Sequence, residues 1–173
     1  MEKIHAVIHY IVDSFQQADS ISKLGKVKLA KILWFADREF MYEYHKSITG
    51  IEYVKLANGP VPRHYDTILN EMKNDGIIHQ YQINKFGNPQ QCFTSLKKPS
   101  LEIFSKEEIK VLDNVIYELK DKSAIKLSNL THDSLWKNRE IGEVMPIESV
   151  FCRDIIEPNE DDIAWAKSKI FKA

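Results

Sequence analysis

Apolar residues recur along most of this chain at helical spacing, interrupted once by a stretch that alternates every second residue. Ile4, Val7, Ile8, Ile11 and Phe15 form a stripe with a 3.6-residue period and predict a first helix. Residues 19–22 supply a polar break. Residues 26–45 then lack Gly and Pro and place Leu29, Leu33, Ala36, Phe40 and Tyr44 on one face. Val27, Ala30, Trp34 and Met41 widen that face until the helix is apolar most of the way round, so it is predicted to lie at the centre, packed by neighbours on several sides. A short strand is predicted at 51–56, a corner at Gly59-Pro60, and a helix over 62–74 with Pro62 in its first turn and Asp75-Gly76 closing it.

The alternating stretch follows. Residues 77–83 read as a strand, 85–89 as a turn and 91–95 as the antiparallel partner, and a helix before such a hairpin is winged-helix-like. Ser105-Lys106-Glu107-Glu108 is a capping box, and Ile109, Leu112, Val115, Ile116 and Leu119 give the helix behind it an inner face. A shorter helix is predicted at 124–130, a turn or helix end at 131–137 and another short element from Pro146. Asn159 and the acidic run after it cap a last helix over 159–171, with Lys167, Lys169 and Lys172 at its far end, as the helix dipole favours. The prediction is α+β: one domain over 1–173, core about 4–151, mainly helical with a small antiparallel sheet.

Three fragments carry more than fold. Lys28-Leu29-Ala30-Lys31-Ile32-Leu33-Trp34-Phe35-Ala36, then Gly59-Pro60-Val61-Pro62 with Tyr65, then Leu130-Thr131-His132 with Trp136 together resemble the Panacea domain, the SocA-like antitoxin family of bacterial and phage toxin–antitoxin systems. The resemblance runs from the first helix to Phe151. It departs from the family at Asn58, where such proteins often carry an aromatic residue. It implies an antitoxin that binds a cognate protein toxin, encoded by the adjacent gene, with no reaction or cofactor of its own. The anchors expected on such a surface are aromatic side chains and arginines with their neighbours, here Trp34, Tyr42, Asn58, Arg63, His64, Tyr65, His132 and Trp136.

Composition narrows the alternatives. With 173 residues, 43% hydrophobic and 28% charged, the chain is long enough for one true core. A formal net charge of −1 lacks the basic excess that sequence-independent DNA binding uses. A winged-helix-like autorepressor is the alternative function, with Lys23, Lys26, Lys28, Lys31 and the wing residue Lys85 as phosphate contacts; a solvated lysine face is the plainer reading of the same residues. Cys92 and Cys152 have no CxxC partner and read as reduced thiols, no segment has the length and apolarity of a membrane span, and a cytoplasmic protein is expected.

Other constellations read as structural. His5 and His9 stand four apart on the first helix, a spacing a metal could use, yet no third ligand accompanies them and no metal is expected. Asp37-Arg38-Glu39 reads as a solvated or ion-paired face. Thr131-His132-Asp133 beside Trp136 could hold a base, but no nucleophile accompanies it, so it reads as packing or as part of a partner surface. Gly59-Pro60-Val61-Pro62 is no phosphate loop. It reads as a rigid corner, which an exposed recognition surface could share.

Overall fold

The computed structural model describes residues 2–18, 23–85 and 87–152, together with 160, 161, 163 and 164. Helix α1 spans Lys3–Gln17, α2 Lys26–Tyr44, and strands β1 Tyr53–Leu56 and β2 Gly59–Pro62 form a hairpin. Helix α3 (Tyr65–Asn74), strands β3 (Ile78–Lys85) and β4 (Asn88–Ser95), helices α4 (Lys106–Leu119), α5 (Ala124–Leu130) and α6 (Ser134–Lys137) and a 3₁₀ turn over Ile147–Cys152 follow. The architecture is α+β.

Helix α2 is the centre, as its wide apolar face predicts. It packs against α1, α4, α5, β2, β4 and the 3₁₀ turn. Leu29, Ile32, Leu33 and Phe40 are fully buried in the core it shares with Ile8 and Ile11 of α1 and Leu112 of α4. Its end is marked by His45 in the left-handed region at φ 55°. The capping box on α4 forms as read: Ser105 Oγ accepts from the Glu108 amide at 3.2 Å and Glu108 Oε2 from the Ser105 amide at 2.8 Å. The β3–β4 hairpin is tighter than predicted, pairing from Ile78↔Ser95 to Lys85↔Asn88, and α1 packs on β4. There His9 Nε2 donates to the Lys97 carbonyl at 2.7 Å beside Ser95 Oγ at 2.9 Å, so this imidazole ties α1 to the hairpin.

The expected antiparallel pairing forms as two separate two-stranded sheets, β1–β2 and β3–β4. Two expectations are corrected. Gly59-Pro60-Val61-Pro62 is a strand and not a corner. Its register, Tyr53↔Pro62 to Leu56↔Gly59, leaves it at a sheet edge, where a missing proline N–H is tolerated, and α3 starts only at Tyr65. Asp37 is no solvated residue: it is completely buried, and its carboxylate accepts from the Ile48 amide at 2.8 Å, the Thr49 amide at 2.9 Å, Ser47 Oγ at 2.8 Å, Tyr53 Oη at 2.7 Å and the Thr49 hydroxyl. Arg38 beside it lies over the Trp34 ring and donates to Ser149 Oγ at 2.9 Å. The break at 19–22 and most of the helix over 159–171 lie outside the described residues; Glu160, Asp161, Ile163 and Ala164 are helical.

Candidate functional site: a groove beneath the β1–β2 hairpin

The hairpin stands off the first turns of α2 and leaves a groove of about 720 Å³. Val27 and Ala30 of α2 form one wall with the stem of Lys31. Val54, Leu56, Val61 and Pro62 of the hairpin form the other. His64, Tyr65 and Thr67 close the end, and Asn58 and Ile141 stand at the mouth. The lining is apolar, and two large apolar side chains at its rim are exposed, Leu56 at 41% and Ile141 at 62%. At the α3 end, Tyr65 Oη donates to the Lys26 carbonyl at 3.2 Å and the Lys26 ammonium pairs with Asp66. His64 takes the left-handed conformation at φ 58°, a turn that a non-glycine residue adopts at some cost and that sets the angle between β2 and α3.

The hairpin is held in place by a set of polar and aromatic contacts. Lys31 Nζ donates to the Pro60 carbonyl at 2.7 Å; the side chain is completely buried, and burial pushes its ammonium down to about 7. Trp136 Nε1 donates to the Leu56 carbonyl at 3.1 Å. The ring of Trp136 stacks on His132 at 3.8 Å, with Lys55 Nζ 4.1 Å from its centroid, and Lys55 also donates to the Arg139 carbonyl at 2.7 Å. Burial, then the nearby Lys31 and Lys55 charges, lower the His132 pKa, which keeps this imidazole neutral at physiological pH. The outer edge of β1 is covered as well, with the Lys55 amide donating to the Glu143 carbonyl at 2.9 Å and the Met145 amide to the Tyr53 carbonyl at 2.8 Å. The groove wall is therefore braced along its length.

Gly59 is the position with least freedom. Its φ is +97°, and a Cβ built there would lie 2.2 Å from Thr131 Oγ1 and 2.9 Å from Lys31 Nζ. Gly59→Ala is expected to destabilise the protein by about 2–3 kcal/mol, since the backbone conformation and the contact are both unfavourable. Urea unfolding of the variant measures it.

Of the residues expected on a partner surface, Asn58, His64 and Tyr65 come together at the groove. His132 and Trp136 brace the hairpin from behind, and Arg63 pairs with Glu52 at 2.6 Å next to it. Tyr42 lies apart, at the C-terminal end of α2, near Phe151. Trp34 is a correction: it is 2% exposed and meets Tyr53 edge to face at 5.1 Å, because its position on α2 points into the core. Tyr65 is also mostly buried, presenting an edge to the groove while its hydroxyl holds α2.

The proposed phosphate contacts divide. Lys28 and Lys31 are core residues, a correction with one physical reason: both lie on the helix that is packed all round. Lys28 sits near the Phe15 ring and donates to the Lys120 carbonyl. Lys26 is paired with Asp66, Lys23 is exposed, and the Lys85 side chain lies outside the described residues. Sequence reasoning missed Leu56 and Ile141 at the mouth and the carboxylate at Asp37. The last had a signal: Asp37 falls four residues after Leu33 and three before Phe40, on the apolar stripe itself.

A family model described as antitoxin SocA-like, Panacea domain, matches residues 29–137, more than half of the chain. The match takes in most of α2, both hairpins and the His132–Trp136 brace. No curated protein matches the chain.

Proposed function

This chain belongs to the SocA-like antitoxin, Panacea-domain family, and from that premise we propose that it neutralises a cognate protein toxin by direct binding at the groove beneath the β1–β2 hairpin. The observation that carries the reading is the groove itself: apolar, about 720 Å³, walled by a braced hairpin and rimmed by the exposed side chains of Leu56 and Ile141. An apolar cleft with polar groups at its ends is the arrangement in which a partner's anchor side chains become desolvated, and the rigid wall lowers the ordering cost of binding. Asn58 at the mouth and His64 at the closed end supply the polar groups. Inhibition by occupancy needs no reaction by the antitoxin.

Co-expression with the product of the neighbouring gene tests this, with growth and co-purification scored together. The parent is expected to rescue growth and to purify as a complex. Leu56→Asp with Ile141→Asp is expected to weaken that complex at least tenfold, about 1.4 kcal/mol, with unfolding stability nearly unchanged because both residues are exposed. A variant that protects cells as well as the parent would place the toxin elsewhere on the surface. A harmless neighbour that forms no complex would remove the reading.

A further inference from the structure

Of the four strand edges in the two hairpins, three are closed. The outer edge of β1 is covered by residues 142–145, through the Lys55 and Met145 amides. The Arg63 amide donates to the Glu52 carbonyl, which fixes the phase of the β1–β2 ladder. The outward positions of β2 are then Pro60 and Pro62, which have no N–H to offer. On β4 the Ser95 amide donates to Gln16 Oε1 at 2.7 Å, and Cys92 bridges to Gly25. The outer edge of β3 pairs with nothing among the described residues.

The groups that this edge presents follow from its ladder. The Leu96 amide donates to the Ile77 carbonyl at 3.1 Å, and at the other end the pair Lys85↔Asn88 closes the turn. Both ends make the odd-numbered residues of β3 the ones bonded to β4. Ile78, Gln80, Gln82 and Asn84 therefore turn their amides and carbonyls outward. An open edge is ordinarily blunted by charge, proline or a bulge. Residues 78–84 contain no Asp, Glu, Lys, Arg, Pro or Gly and pair with β4 without a bulge, and His79, Gln82 and Asn84 are exposed.

The edge is also complementary to itself. A second copy running antiparallel, with Tyr81 at the two-fold axis, sets Ile78 opposite Asn84 and Gln80 opposite Gln82, each pair exchanging two backbone hydrogen bonds. His79 then faces Ile83 and Tyr81 faces its own counterpart, in the pairs where side chains approach most closely. Like charges meet at none of these positions. We propose that the outer edge of β3 is a self-association surface, through which two copies of this chain join their β3–β4 hairpins into one four-stranded antiparallel sheet. The surface shares no residue with the groove beneath the β1–β2 hairpin and does not depend on what binds there.

Sedimentation of the full chain over a wide concentration range tests this. The strand supplies fewer residues than the roughly 20–30 a side of a standard interface, so a dimer of micromolar affinity is expected. The amides of Gln80, Gln82 and Asn84 are expected to exchange with solvent more slowly as the dimer fills. Gln80→Lys with Gln82→Lys sets lysine against lysine at both symmetry-related pairs and is expected to weaken the dimer at least tenfold. Gln80→Lys with Gln82→Glu sets lysine against glutamate and is expected to restore it. Gln82→Pro deletes an outward N–H, leaves the bonds to β4 in place, and is expected to weaken the dimer with Tm of the dilute chain nearly unchanged. A chain that stays monomeric, or a dimer that both the lysine pair and the proline leave intact, would overturn the proposal. A Lys/Glu variant as weak as the Lys/Lys one would overturn the register. A monomeric chain that loses its toxin complex on Gln82→Pro would assign the edge to a strand of the toxin and overturn the choice of occupant.

Discussion

Asp37→Ala is expected to lower unfolding stability by about 4–5 kcal/mol, a large share of the margin of an ordinary domain. The carboxylate is completely buried and takes five hydrogen bonds, two from backbone amides and three from hydroxyls. Truncation removes the acceptor, leaves the buried Ile48 amide without a partner and deprives the Tyr53 hydroxyl of its acceptor, and a buried donor left without an acceptor carries its desolvation cost. The loop after α2 would then lose the contact that folds residues 47–49 back onto the helix. Tyr53→Phe deletes one donor together with its need for an acceptor, so it is expected to cost only about 1 kcal/mol. Urea unfolding of both variants checks the pair. Near-equal effects would mean that the amide contacts contribute little.

Lys31→Met is expected to stabilise the protein at neutral and mildly acidic pH and to remove most of the rise in stability between pH 7 and 10. The sign follows from linkage. The Lys31 ammonium is lowered from 10.5 to about 7 by burial, so between those values the unfolded chain holds a proton that the folded chain has released. Stability then rises with pH across that window, by on the order of 3–4 kcal/mol for this side chain. Below about pH 7 the folded protein must hold a charged ammonium whose one hydrogen-bond acceptor among the described residues is the Pro60 carbonyl. Methionine fills a similar volume without the charge, losing that one hydrogen bond, worth about 1 kcal/mol. Three other groups bound the window. His132, whose pKa is lowered, gives stability that is lost as pH falls below the ordinary histidine value of 6.5. The buried phenols of Tyr53 and Tyr65 are raised well above 10 by burial, with Asp37 adding to the first and Asp66 to the second, so their contribution is lost as pH climbs past 10. Thermal unfolding of parent and variant from pH 5 to 11 is expected to show a parent maximum between about 8 and 10 and a flatter variant. Identical profiles would mean that Lys31 stays protonated in the folded state.

Both predictions fall on charged residues of α2, the segment where sequence and structure differ most. The pattern of apolar positions located the helix to within a residue and placed it at the centre. It gave Asp37, Lys28 and Lys31 to solvent, because charged side chains ordinarily end there. A helix packed on most sides has little solvent face to offer, so those three were drawn inside and satisfied by the carbonyls, amides and hydroxyls of segments distant in sequence. The same logic separates the site residues. Asn58 and His64 flank a proline-rich segment and could be read as exposed, whereas Trp34 looked like an anchor and is core.

Local rules were enough for the α+β class, the capping box at Ser105, the helix at 124–130 and the β3–β4 pairing, because each depends on residues within a few positions of one another. The three separated fragments were also enough for the family, which the match over residues 29–137 shows. What tertiary structure alone decided is where the β1–β2 hairpin stands. Its place depends on Lys31 reaching Pro60, Trp136 reaching Leu56 and residues 142–145 covering the edge of β1, contacts between segments roughly thirty to ninety positions apart. Periodicity carries no information about such pairings, since side-chain direction repeats within one element while a groove is made by the distance between two.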